Sequence, residues 1–154
     1  MHTAKRKSFT VPVFPHIKKF ILKKYSEPVK TEEYTSLGKM VSLALRDNRM
    51  TAEHNGQQRD RMKDRISIIL TKEQAELSPR IGKLIRINHH IDQLFKDHLA
   101  LWVDALRLDG IAAHSACKLF LKYYDIEESE YSLDAAYKFI QRSEKTKTLK
   151  QRNK

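Results

Sequence analysis

The chain predicts a mainly helical domain with a minor two-stranded β element. Three observations lead there. Four glycines and four prolines in 154 residues are too few for the turns of an all-β fold. Apolar residues recur at three- and four-residue steps through most of the chain, the period of helices with one buried face. Two short segments, 8–14 and 65–71, are instead rich in β-branched residues. A hydrophobic content of 40% suffices for one core, so one domain, with at most a small appendage, is expected.

The elements follow in order. Residues 8–14, Ser-Phe-Thr-Val-Pro-Val-Phe, alternate as a strand does, and Pro12, which cannot donate to a ladder, makes it an edge strand. Pro15 opens a helix with Ile17, Phe20, Ile21 and Tyr25 inward and Lys18, Lys19 and Lys23 around the other side, stopped at Ser26-Glu27-Pro28. A second helix spans Thr35 to Arg46, with Leu37, Met40, Val41, Ala44 and Leu45 on its apolar side. Residues 47–64 show no apolar period and read as an exposed loop. The strand 65–71 is the natural partner of 8–14, since either alone leaves its ladder unmade. Thr71 and Gln74 fit a capping box for a short helix over 72–78. Ser78-Pro79 and Gly82 precede the longest helix, 84–109. Its expected stripe is Ile87, Ile91, Leu94, His98, Leu101, Ala105 and Leu108, broadened by Phe95, Leu99, Trp102 and Leu106. An apolar surface that wide means core or a dimer seam. Asp109-Gly110 supplies a left-handed stop. A helix from Ile111 to Tyr124 is expected to bury Ala112, Ala116, Leu119, Phe120 and Tyr123. Ser132 caps a last helix from Leu133 to about Lys145, and a frayed tail follows.

Charge bears on partner class. The formal net charge is +11, and the cations crowd the ends. Residues 1–24 hold Lys5, Arg6, Lys7, Lys18, Lys19, Lys23 and Lys24 with no acid, and residues 142–154 hold six cations against Glu144. Each phosphate met by Lys or Arg releases condensed counterion, which drives polyanion binding. Lysine-rich ends also occur simply as solubilising tails.

The last two helices carry the sharpest constellation. Leu133, Ala136, Tyr137 and Ile140 form an inward stripe, which leaves Asp134, Lys138, Gln141, Arg142 and Lys145 outward. Arg and Lys bridge guanine O6 and N7, and Gln bridges adenine N6 and N7. On these residues, segment 110–145, with Gly110, Ala112–Ala116 and the helix Ser132–Arg142, resembles the helix-turn-helix of small DNA-binding proteins of bacterial phages and mobile elements. The resemblance implies transcription regulation, or an accessory task in replication or recombination, on double-stranded DNA, and the chain is expected to act as a dimer. The intervening loop, Asp125 to Glu130, is longer than the usual turn and carries Asp125, Glu127, Glu128 and Glu130. These acids either repel phosphates beside the groove or favour the helix dipole and face solvent.

The organisation expected is therefore a basic α/β part with the long helix over 1–109, a helix-turn-helix-like unit over 110–145 and a basic tail over 146–154. The nominated DNA contacts are Lys138, Gln141, Arg142 and Lys145, joined by Lys18, Lys19, Lys23, Lys24, Arg6 and Lys7. A second arrangement, a ribbon-helix-helix dimer reading bases through Arg65, Ser67 and Ile69 or through Ile66 and Ile68, is weakened because isoleucine reads bases poorly and Pro79 interrupts the first helix. The rival functions are a protein adaptor docking through the apolar long helix and an RNA binder; the latter lacks an aromatic stacking platform. Catalysis finds little support: none of the seven histidines lies in a His-Glu-x-x-His pattern, and His114 with the lone Cys117 is half a zinc site. No glycine-rich phosphate loop occurs. The expectation is a non-enzyme without cofactor or metal. The lone cysteine and the absence of an apolar span or signal-peptide centre point to a cytoplasmic protein away from membranes.

Overall fold

In a computed structural model of the chain, residues 7–47, 60–77 and 79–152 are described. The chain divides into two compact units, Met1–Gln93 and Leu94–Lys154.

The first unit is built on a three-stranded sheet of order β1-β3-β2, from β1 (Ser8–Val13), β2 (Val29–Lys30) and β3 (Asp64–Ile69). β1 and β3 pair antiparallel with Phe9 opposite Ile68 and Val11 opposite Ile66, the pairing expected from their composition. Alternation sets the faces: Val11, Val13, Ile66 and Ile68 are buried, whereas Ser8, Thr10 and Arg65 are exposed. Pro12 does lie on an edge strand. The third strand, β2, lies parallel to β3 on its other side, and two residues carry no period from which it could be read. Because both sides of β3 are occupied, it cannot form the two-chain ribbon of a ribbon-helix-helix dimer.

Three helices and the start of a fourth cover this sheet. Pro15 stands at the first position of α1 (Pro15–Leu22), which buries His16, Ile17, Phe20 and Ile21. The helix ends three residues earlier than Tyr25, so Lys23 is its C-cap and Lys24 lies beyond it. The Thr35 hydroxyl caps α2 (Ser36–Arg46) by accepting from the Gly38 N–H at 2.9 Å. The capping box of α3 (Lys72–Glu76) is formed on both sides. Gln74 does more than close that box. It is fully buried and its amide accepts from the Thr31 hydroxyl at 2.6 Å and donates to the Ser42 hydroxyl at 2.9 Å and to the Thr31 and Gly38 carbonyls. One side chain thereby ties α2, α3 and the residue that follows β2 together. On α4 (Ile81–Leu108), Ile85, Ile87 and Ile91 are buried, and Asn88 accepts the Phe14 N–H at 3.0 Å. His16 meets Asp92 at 3.1 Å.

The second unit comprises the rest of α4, α5 (Ala113–Tyr123) and α6 (Leu133–Arg152). Phe95 stacks edge-on against Phe120 at 5.4 Å and Tyr131 at 5.2 Å, and Leu99, Val103, Cys117, Ala136 and Ile140 complete the core. Both helix-to-helix joints open on the same device. At Gly110 (φ 79°) the Ile111 and Gly110 N–H groups return to Leu106 and Arg107 carbonyls, a Schellman stop on the expected glycine. At Asp125 (φ 55°) the Ile126 and Asp125 N–H groups return to Leu121 and Lys122 in the same pattern.

Two expected stripes are out of phase. On α4, His98, Leu101, Ala105 and Leu108 are exposed, and the buried line is Phe95, Leu99 and Val103; Trp102 and Leu94 are only half-buried. On α5, Ala112, Leu119 and Tyr123 are exposed, and Ala113, Cys117 and Leu121 are buried with Ala116 and Phe120. Both helices carry apolar residues on more than one face, and the contacted face is set by which neighbour arrives, not by the period. α6 runs to Arg152, past the expected end near Lys145. Lys147 with Asp104 at 3.2 Å joins that extension to α4, and Arg107 with Glu144 joins the two helices just before it.

Candidate nucleic-acid interface

The outer face of α6 is placed by its inner one. Ala136 and Ile140 are buried one turn apart, and Lys138, Gln141, Arg142 and Lys145 stand exposed together on the other side. Ser132 caps the helix, its hydroxyl accepting from the Ala135 N–H at 3.0 Å. The acids of the preceding loop are put to local use. Glu128 accepts from the Leu133 N–H at 3.0 Å, at the positive end of α6, and Glu130 accepts from the Glu127 N–H at 2.8 Å. Their carboxylates therefore satisfy backbone donors that the helix start and the loop would otherwise leave open.

The four nominated cationic and amide side chains are not equivalent. Lys138 pairs with Asp134 at 2.8 Å, one turn back, with both side chains more than half exposed. Such a pair is worth little to stability but offsets part of the lysine's charge. Arg142 and Lys145 have no acid within ion-pair distance among the described residues, so their charge is open to a phosphate or a base edge. Arg107, by contrast, is committed to Glu144, whose hydrogen bond raises the guanidinium pKa still further.

Two cations escaped the sequence reading. Lys118 and Lys122 stand exposed four residues apart on α5, on one line with His114. The His114 ring packs edge-on against the half-buried Tyr137 of α6 at 5.4 Å, so the His114 end of that line meets α6. The i, i+4 spacing was the available signal. The apolar residues of α5 mask it.

The nominated lysines of the first unit do not form one helical face. Lys18 and Lys19 are half-buried on α1, whereas Lys23 and Lys24 are exposed beyond its last turn, with the Lys24 ammonium 5.7 Å from the centre of the Tyr25 ring. Lys7 is exposed where β1 begins, and Arg6 lies outside the described residues.

Nucleophilic chemistry has no foothold at Cys117. It is buried, and burial pushes its thiol up to about 11, far from the thiolate range. Among the described residues no three His, Cys, Asp or Glu side chains group closely enough to hold a metal ion. No described helix is long and apolar enough to cross a membrane.

No protein-family model, curated protein or solved structure matches this chain. The functional reading rests on its own residues.

Proposed function

We propose that the chain binds double-stranded DNA, with α6 as the groove-facing helix and α5 lying across the phosphates. The observation that carries this reading is the outer face of α6, where Gln141, Arg142 and Lys145 stand exposed on a helix anchored by Ala136, Ile140 and two ion pairs. An anchored helix offering the adjacent Gln141 and Arg142, with Lys145 about one turn on, has the residue types that pair with base edges in a major groove. Lys118 and Lys122 supply the positioning contacts that any such reader needs beside its base contacts. Glu128 and Glu130, engaged on N–H groups, count less against this reading than unengaged carboxylates would. The helix-turn-helix likeness and a regulatory or recombination task in a phage or mobile element belong to this proposal.

Salt dependence tests it. If about 5–8 cations meet phosphates, log affinity for generic duplex falls with log salt at a slope of about −4 to −7, at roughly −0.9 per phosphate. A slope shallower than about −2, or no mobility shift at low salt, removes the DNA reading.

A further inference from the structure

One face of the first unit's sheet is open. Alternation along the strands puts Ser8, Thr10 and Pro12 of β1 on it, opposite Ile69, Ser67 and Arg65 of β3. Lys30 of β2 stands beside Ile69, and Lys63, one residue before β3, continues the Arg65 row. Ser8, Thr10, Lys30, Lys63 and Arg65 are exposed. We infer that this face is a second nucleic-acid surface, on which the phosphate backbone of duplex DNA rests.

Its chemistry is that of a phosphate contact. Lysine, arginine, serine and threonine side chains hold phosphate oxygens without reading sequence. Lys30, Lys63 and Arg65 have no acid within ion-pair distance among the described residues. The Ser8 and Ser67 hydroxyls meet at 2.8 Å, a bond that uses one of their two protons and leaves the other for an outside acceptor. The neighbouring acids are engaged or turned away. Glu27 accepts from the Ser67 N–H at 2.8 Å, a donor that the two-residue β2 does not reach. Asp64 lies with Ile66 and Ile68 on the covered side of β3. Asp60 and Glu73, beyond the two ends of the row, each adjoin a cation, Arg61 and Lys72. Glu32 and Glu33 lead into α2, where Glu33 shares a hollow with Lys39 and Arg46. The face itself keeps a positive balance. What it lacks narrows the partner further. The strands place no aromatic ring on it, so unpaired bases have nothing to stack on, which favours a duplex over a single strand. Half-buried Pro12 and Ile69 are its only apolar side chains among the described residues, too little to anchor a protein partner or to enter a membrane.

The inference rests on duplex DNA being the partner but not on α6, and the measurement separates the two. Binding of the full chain to a generic fluorescent duplex is titrated over a range of salt concentrations. Lys30→Gln, Lys63→Gln and Arg65→Gln remove charge and keep most of the stem. Each should flatten the slope of log affinity against log salt by about one unit, with an unchanged far-ultraviolet CD spectrum. Base preference on a selected duplex should not move, because phosphates carry no sequence. Lys39→Gln on α2, an equal loss of charge away from this face, should leave the slope as it was. A chain carrying Lys118→Ala, Lys122→Ala, Arg142→Ala and Lys145→Ala should still bind at low salt, and adding the three sheet substitutions should abolish that binding. If the parent binds with a steep slope and the triple sheet variant matches it, the sheet inference is overturned and the α6 reading stands. Loss of all binding in the quadruple variant would overturn it too. So would vesicles of phosphatidylserine and phosphatidylcholine, or polyglutamate, that hold the chain through these residues as tightly as the duplex does at equal charge. A parent chain that binds no duplex at low salt removes both readings.

Discussion

Replacing Gly38 by alanine isolates how α2 is seated. A helix glycine usually gains about 1 kcal/mol on becoming alanine, because backbone entropy falls. Gly38 should do the opposite. A Cβ built there lies 1.8 Å from the Glu32 carbonyl oxygen, 2.4 Å from its carbon and 2.9 Å from the Thr31 oxygen. All three atoms are backbone, so no rotamer change relieves the clash, and the first turn of α2 must retreat by more than an ångström. That retreat pulls on the Thr35 cap and on the Gly38 and Ser42 bonds to Gln74. Overpacking contributes up to about 3 kcal/mol, and two strained or lost buried hydrogen bonds about 1–1.5 each, against the gain of about 1. The net is a loss of up to about 5 kcal/mol, comparable to the stability of a marginal domain. Urea unfolding followed by far-ultraviolet CD reads it. The control is Gly82→Ala in the first turn of α4, where nothing lies within 4 Å of the added methyl, and which should stabilise by about 0.5–1 kcal/mol. A Gly38→Ala chain as stable as the parent would refute the seating described for α2.

Four further outcomes are expected. Gln74→Leu should cost about 3 kcal/mol in the same urea assay, because the Thr31 and Ser42 hydroxyls lose a buried partner. Asp125→Gly should raise stability by about 1 kcal/mol, since the φ of 55° there costs an L-residue and not glycine; a loss instead would mean that the Asp125 side chain holds the joint. Cys117 should resist alkylation at pH 8 until denaturant is added. The folded thiol keeps its proton up to about 11 while an ordinary one loses it near 9.0, so stability should fall as pH rises through that window, and a flat profile would contradict the burial. On a selected duplex, Gln141→Ala and Arg142→Ala should each cost about 1–3 kcal/mol and relax preference at one base pair, whereas Lys118→Ala and Lys122→Ala should weaken all sequences alike and flatten the salt slope by about one unit each. Silence at both Gln141 and Arg142 would make α6 a packing helix.

Glu128 illustrates why site reading from sequence stops short. Four loop acids were legible, and both of their roles were conceivable from charge alone. Only the 3.0 Å bond to the Leu133 N–H shows that one of them caps the helix. Neutralising Glu128 therefore also disturbs the start of α6 and is no clean probe of repulsion. Local chemistry was readable wherever it is self-contained: the Thr71–Gln74 box, the Gly110 stop, the alternation of β1 and the outward set on α6 all follow from neighbours a few residues apart. What needed a distant partner was not. β2 exists because β3 has a free side, and Gln74 is buried because Thr31 and Ser42 converge on it. On α4 both Leu99 and Leu101 are apolar at helical spacing, and nothing in their order says which the core will cover. The same ambiguity shifted α5 by one residue and left Lys118 and Lys122 unremarked.

The β1–β3 pairing has a consequence for how the chain reaches this structure. The Ser8 and Ser67 hydroxyls meet at 2.8 Å across 59 residues of sequence, whereas the second unit is closed by three helices that follow one another directly. Contacts between distant positions must overcome loop-closure entropy before they return any energy, so high contact order slows the search. The helical unit should assemble first in refolding, and the sheet last. During synthesis β1 is made early and stays unpaired until Ile66 and Ile68 leave the ribosome. An open strand bearing Phe9, Val11 and Val13 invites pairing with another nascent chain. Pro12, the last but one residue of the strand, withholds one N–H from any such ladder and so guards the strand through its wait as well as at its finished edge.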